Sequence, residues 1–338
     1  MFRIEENPNY PFRIYQPAVE EYDQQMKRRA EWEKANTGFL ATQPGCKPEE
    51  LPPVTGTFIY AHAPDYRANT LEWNRTQWLE RLKALKDRGI DTVIFQAAAW
   101  KELRECYYPG KIHTGYKCWD VLTPAMEAAN ALELTFFMGE FGAVENWQGK
   151  QNGTRESMQQ ELDEHCRCLE ELFTLYDGGF QGIYLTSESG YTGKRDAEFE
   201  DAAATFYGEL CGMIRSAQPG KPILISPFSF DCGNKLEEMA DYWQTVFSRA
   251  VPDILAPQDS IGTLCVTLDR QWKIYEQWRK TAAALGCTHW SNIELFEVNF
   301  PKAGNTRLTT APEKRIMAQL QAARGIQKCI CWEMLSFL

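Results

Sequence analysis

Histidine is scarce in this chain, four in 338 residues, and none is spaced as the HxxxH pair that grips zinc from one helix face, so no histidine metal centre is expected. No GxSxG elbow is present to build a serine hydrolase. The first apolar run continues into FIYAHAPDYR, without the glycine-rich loop that a nucleotide-binding open sheet places there. Basic residues are outnumbered 36 to 46, for a net charge of −10. A surface of that sign repels nucleic acid and anionic membrane, and neither is expected as a partner. No apolar run is long enough to span a bilayer. The N-terminal stretch MFRIEENPNYPFRIYQ carries charge where a signal peptide needs an apolar segment, so a cytoplasmic location is expected. Cysteine is plentiful, eleven in all, but the CxC pairs Cys166/Cys168 and Cys329/Cys331 lack the CxxC spacing of zinc and redox motifs. They read as reduced thiols of a core.

At 44% hydrophobic and 13% aromatic, the chain can bury a large interior. Residues 1–53 are polar, with one helical stretch over 18–34 and then the connector TGFLATQPGCKPEELPP. They read as an N-terminal helical extension packed on a main domain, 54–338. There the pattern changes to short apolar run, polar loop and amphipathic helix, repeated. Strands are expected at 57–61, 91–97, 134–139, 182–186, 222–227, 253–257, 288–297 and 328–332. Helices are expected at 72–88, 124–131, 155–175, 197–216, 236–249, 272–285 and 312–323. Eight such units predict an α/β fold, the (β/α)8 TIM barrel.

Chemistry in that fold sits on loops at the C-terminal ends of the strands. Five carboxylates fall there: Glu140, Glu188, Asp259, Glu294 and Glu333. In THWSNIELFE, Ile293 and Leu295 alternate with Asn292 and Glu294, and in GIYLTSE, Ile183 and Leu185 alternate with Tyr184 and Glu188. Both glutamates therefore share the parity that faces the barrel axis. Two carboxylates without a cofactor or metal suffice for glycoside hydrolysis, one holding a proton while the other stays ionised. Trp100, Trp147, Tyr191, Trp290 and Trp332 offer faces for sugar rings. Tyr60, His62, Asp65, Arg67, Gln96 and Asn292 offer hydroxyl partners. The expected partner is a carbohydrate, a small glycoside or imported oligosaccharide, with homo-oligomerisation open.

A glutamate after the fourth strand and another on the seventh resembles clan A glycoside hydrolases. That resemblance implies Glu188 as acid/base and Glu294 as nucleophile of a retaining mechanism. TGTFIYA, EWNRTQWLERLKALKDRGIDTVIFQ, LAPQDSIG and WSNIELFE are also similar to an uncharacterised family of bacterial TIM barrels, a domain of unknown function in the glycoside hydrolase superfamily, over most of 55–338. Clan A enzymes carry asparagine before the acid/base, and Ser187 stands there.

Simpler roles compete at each position. Glu188 could cap the following helix. Glu297 replaces Glu294 if the strand register slips. Asp259 could form only an Asx turn, or could join an inverting pair, whose carboxyls stand roughly 6.5–9.5 Å apart against about 5–5.5 Å for a retaining pair. Glu140 is as readily a supporting group as a catalyst, and Glu333 reads as an ion-pair partner. Trp73, Trp78, Trp243, Trp272 and Trp278 fall at helical core spacing and are expected to pack. Two other classes remain: a carbohydrate-binding barrel without catalysis, and a lyase or isomerase using Arg67 or Lys101.

Overall fold

The computed structural model describes residues 22–43, 47–61, 70–144, 146–147, 153–299 and 307–337, together with an antiparallel pairing of Phe2–Arg3 with Gln16–Pro17. Eight parallel strands close on themselves: β1 (Val54–Ile59), β2 (Thr92–Phe95), β3 (Thr135–Gly139), β4 (Gly182–Leu185), β5 (Ile223–Ile225), β6 (Ile254–Leu255), β7 (Thr288–Glu294) and β8 (Lys328–Trp332). Each pairs with the next, and β8 pairs back onto β1. This is the expected (β/α)8 barrel.

Period-two alternation divides the strand residues between two cores. Phe58, Ile94, Phe137, Tyr184, Leu224, Ile254, Ala256 and Ile330 point inward and fill the barrel as a plug. The opposite parity, Val93, Phe136, Met138, Ile183, Ile225 and Ile293 among others, packs under the surrounding helices. Both faces being apolar is what a buried parallel sheet requires.

The helices are α1 (Tyr22–Thr42), α2 (Arg75–Lys86), α3 (Leu122–Ala131), α4 (Arg155–Leu175), α5 (Ala197–Ala217), α6 (Met239–Val246), α7 (Leu268–Leu285) and α8 (Glu313–Ala322), with a last turn at Met334–Phe337. α2 opens on a capping box between Asn74 and Gln77 and buries Trp78, Leu82 and Leu85 on one stripe. α7 ends on Gly286 at φ +70°, a left-handed cap that glycine adopts without strain. It buries Gln271, Ile274, Tyr275 and Trp278. Trp272 therefore falls on the outer face and is 52% exposed, against the expectation that it packs.

α1 extends beyond the expected 18–34. Trp32 is buried, and Phe39 and Leu40 pack against the main core, so tertiary contact carries the helix through Gly38 despite its poor propensity. Trp32 Nε1 donates to Val266 O at 2.9 Å and Arg28 to Leu264 O at 2.9 Å, while Asn36 Oδ1 accepts the Leu268 N–H at the start of α7. The extension thus holds the loop between β6 and α7.

Two further elements were not legible in the sequence. A small sheet joins 99–100, 105–106, 117–118 and 141–142 above β2 and β3. The expected strand 288–297 instead stops at Glu294, and Phe296–Asn299 turns into an antiparallel hairpin with Arg307–Thr310.

Gly139 ends β3 where no side chain fits: a Cβ there would lie 2.2 Å from Phe95 O and 2.3 Å from Gln96 O. The neighbouring atoms are backbone and cannot swing aside. Gly139→Ala is expected to destabilise the protein by about 1–3 kcal/mol, read as a lower denaturant midpoint with unchanged slope; a wild-type midpoint would contradict this packing.

Candidate active site

Glu188 follows β4 and is only partly buried. Its carboxyl collects three neutral donors. Gln96 Nε2 donates to Oε1 at 3.1 Å, Gln258 Nε2 to Oε2 at 2.9 Å, and the Tyr184 hydroxyl, from the interior plug, also donates to Oε1. Burial pushes its pKa above the ordinary carboxylate value, and the three hydrogen bonds oppose that rise by stabilising the anion.

Glu294 closes β7 in register with Trp332 on β8. It is 1% exposed. Its Oε2 accepts the Thr263 N–H at 2.9 Å, from the loop that α1 holds. Asp259 lies on the helix side of it, with Oδ1 accepting the Ile261 N–H at 3.2 Å and Oδ2 accepting from Gln319 on α8. Arg315, also on α8, donates to the carbonyls of Glu294 and Phe296 at 2.8 and 2.7 Å. Burial, reinforced by the Asp259 charge, pushes Glu294 up to about 8. Burial raises Asp259 to about 6 against the pull of Arg315 and Gln319, and depresses Arg315.

Around these two glutamates the structure gathers part of the predicted set. Gln96 and Asn292 are buried on the axis side, Asn292 Nδ2 donating to Ser226 Oγ at 3.0 Å. Trp332 is half-buried, its ring edge-on to Tyr60 at 5.1 Å and to Phe296 at 4.9 Å. Gln258, Tyr184 and Thr263 complete the mouth. None of the three is among the site residues expected from the sequence, although Gln258 lies two residues beyond the plug residue Ala256 and so has axis-facing parity.

Other predicted residues lie elsewhere. Trp290 is level with Lys328 at the start of β8, its ring 6.0 Å from that of Phe137 and 5.3 Å from the Lys328 Nζ; its parity is inward, but at the opposite end of the barrel from the mouth. Trp147 is fully buried, giving its N–H to Glu161 and packing its ring on Phe206 and Tyr207, which leaves no face for a sugar. Tyr191 is buried on Tyr242 with its hydroxyl donating to Lys235 O. Trp100 is buried beside Val144 and covers Gly142. Glu140 faces α4, where it accepts from His165 Nδ1, the Phe141 N–H and both the N–H and hydroxyl of Thr186. Burial pulls His165 down, but Glu140 and Glu161 outweigh it and bring the imidazole to about 9, a charged group inside a buried ionic cluster. Glu297 is on the hairpin, 3.7 Å from Arg29 and 3.8 Å from Arg315, off the barrel wall. Glu333 accepts the Leu335 N–H at 3.0 Å, and Lys101 pairs with Glu164 at 3.2 Å. His62, Asp65 and Arg67 lie outside the described residues.

Residues 54–338 match the domain of unknown function DUF4434. The chain belongs to the DUF4434 family. A comparison with curated proteins gave no significant match. Among solved structures, the DUF4434 barrel is similar to a putative alpha-L-fucosidase from Bacteroides thetaiotaomicron, at 18% identity and TM-score 0.68, over 86% of this chain and 88% of that one. It is similar to a GH113 β-mannanase from Alicyclobacillus acidocaldarius, at 12% identity and TM-score 0.50, over 86% and 89%. It also resembles a β-galactosidase from the psychrophilic Marinomonas ef1, at 10% identity and TM-score 0.53, over 82% of this chain but only 53% of that one. At these identities the likeness is one of fold. Among the described residues no helix is long and apolar enough to cross a membrane, and no group of three or more His, Cys, Asp or Glu could hold a metal ion.

The raised Glu294 has a sign that can be measured. Its folded pKa, about 8, exceeds the ordinary 4.5, so between those values the DUF4434 fold binds more protons than the unfolded chain. Stability is then fully present below about 4.5 and is lost as pH rises towards 8. Asp259 adds a loss over its lower window. Glu294→Gln, which has no proton to lose, is expected to remove much of the decline, a few kcal/mol at about 1.4 kcal/mol per unit. Denaturant midpoints at pH 5 and pH 8 test this, and an equal decline in wild type and variant would rule it out.

Proposed function

We propose that this protein is a glycoside hydrolase acting on a small glycoside or short oligosaccharide by a retaining mechanism, with Glu188 and Glu294 as the carboxylate pair. The observation that carries the reading is their placement: both hold axis-facing positions at the C-terminal ends of β4 and β7 in a closed parallel barrel, where this fold conducts its chemistry. The fold likeness to the putative fucosidase, the mannanase and the galactosidase structures agrees with it.

Electrostatics favour a division of labour. At Glu188 three hydrogen bonds oppose the effect of burial, whereas at Glu294 the Asp259 charge adds to it. Glu294 is then the proton donor to the leaving oxygen, and Glu188 the carboxylate that attacks the anomeric carbon. Water next hydrolyses the glycosyl ester, Glu294 taking its proton. This reverses the roles that clan A resemblance implies. Asp259 is committed to Gln319 and to the Ile261 N–H on the helix side, so an inverting pair built on it is the weaker alternative. A carbohydrate-binding barrel without catalysis draws support from Ser187. That residue is buried, its carbonyl taken by the Tyr207 hydroxyl, and so supplies no counterpart to the clan A asparagine.

Glu188→Gln and Glu294→Gln should each lower hydrolysis of an aryl glycoside panel by at least about 10²-fold. Undiminished turnover in both variants would eliminate the pair, and no turnover by wild type on any glycoside would leave the binding protein. The wild-type pH profile assigns the roles: kcat/KM falling as pH rises through about 8 fits Glu294 as acid, and kcat/KM rising there restores the clan A order.

A further inference from the structure

The floor of the mouth has an uneven hydrogen-bond balance. Gln258 Nε2 is shared between Glu188 Oε2 and Ser226 O, at 2.9 and 3.0 Å. Gln96 Nε2 is on Glu188 Oε1, and the Tyr184 hydroxyl donates to the same oxygen. Asn292 Nδ2 is on Ser226 Oγ. Among the described residues of the floor, the side-chain atoms left without a partner are Gln96 Oε1 and Asn292 Oδ1, both acceptors, on side chains 4% and 1% exposed.

Those orientations are fixed by their partners. The Ser226 hydroxyl gives its proton to Ala256 O at 2.8 Å, so towards Asn292 it can only accept, and Asn292 must present its amide nitrogen. Turning Gln96 over would set its oxygen against the Glu188 carboxylate. Each free oxygen is therefore the end the network leaves over, on the axis side of β2 and β7 at the upper margin of the plug. A buried acceptor without a donor is unfavourable, and native proteins rarely keep one without a use. The charge of the floor has the same sense, since among the described residues the acids placed at the mouth are Glu188 and Glu294. The nearby cation among the described residues, Arg315, gives Nη2 to the carbonyls of Glu294 and Phe296 and stands 3.8 Å from Glu297, all on the helix side.

We propose that this mouth is a subsite for a ligand that donates hydrogen bonds and bears no negative charge, a neutral polyhydroxylated ring or its cationic ring-nitrogen analogue, and that it discriminates against uronic acids and sugar phosphates. Ring hydroxyls supply the donors that Gln96 Oε1 and Asn292 Oδ1 lack. A protonated ring nitrogen meets Glu188, and a ligand carboxylate or phosphate meets repulsion there. The sugar class rests on the glycosidase reading; the donor and charge requirement rests on the floor alone.

The test is calorimetric titration of the full chain with six-membered iminosugars, matched neutral methyl glycosides, matched uronic acids and sugar phosphates. Iminosugars are expected to bind most tightly, with uronic acids and sugar phosphates at least tenfold weaker than their neutral counterparts. Gln96→Leu and Asn292→Leu are expected to weaken iminosugar binding about tenfold each. Each substitution also removes a donor, Gln96 Nε2 from Glu188 Oε1 and Asn292 Nδ2 from Ser226 Oγ, so thermal stability without ligand is expected to fall; a purely structural role would lower stability while leaving iminosugar affinity at the wild-type value under conditions where the variants are folded, and that result would overturn the proposal. Charged sugars binding as tightly as neutral ones, or no ligand of any class binding at millimolar concentration, overturns the proposal. Iminosugar binding without hydrolysis of any glycoside sinks only the glycosidase reading, whereas efficient hydrolysis of an aryl uronide sinks only this one.

Discussion

Cys329, Ile330 and Cys331 pair with Val54, Gly56 and Thr57, and that pairing turns an open sheet into a barrel. It depends on the absence of a side chain at Gly56, where a Cβ would lie 2.5 Å from Ile330 Cγ2. Once the sheet is closed, each strand residue must face either the axis or the helices. Ile330 then joins the plug with Phe58 and Leu224, and the same alternation carries Glu294 to the top of β7 and Trp332 to the top of β8. The mouth is the place where the apolar plug runs out and axis-facing positions become polar.

Two sets of acids in this protein are stabilised in different ways. Behind the sheet, Glu140 and Glu161 flank His165, and Asp259 and Glu297 lie near Arg315; each charge has a cation to offset its desolvation. Among the described residues, Glu188 is held by two amides and a phenol and by no counter-ion. Neutral donors stabilise an anion without neutralising it, so its charge remains available to a ligand. Ion-paired carboxylates serve the architecture, and a carboxylate held by dipoles is suited to chemistry.

Much of this was readable in the residues because strand alternation is local. GIYLTSE and THWSNIELFE carry the parity of Glu188 and Glu294 in their own sequence, and the eight-fold repeat supplies the closure. What was not readable depends on where loops return. Nothing around Trp147 or Tyr191 distinguishes a platform beside a sugar from a ring folded under α5 or against α6. Trp290 obeys the inward parity but sits at the N-terminal end of its strand, because the pairing with Lys328 sets its height and a single strand does not encode height. Glu297 left the barrel because the strand breaks after Glu294, where the chain departs into a hairpin closed through residues more than ten positions away. Trp272 kept helical company in the sequence yet fell outside the buried stripe by one position.

The N-terminal extension gains a role from this geometry that its composition did not suggest. Trp32 and Arg28 on α1 hold the carbonyls of Val266 and Leu264, and Asn36 caps α7. The loop so clamped supplies the Thr263 N–H that fixes Glu294 Oε2. Gly262 beside it has no room for a Cβ, which would stand 2.1 Å from Phe296 O and 3.0 Å from that same carboxylate oxygen. A loop squeezed this closely against a buried acid cannot shift without moving the acid, and loops of this kind owe their position to whatever packs on their outer side. The proton affinity of Glu294 is therefore set from both directions, by Asp259 and Arg315 on the helix side and by a loop whose place depends on α1.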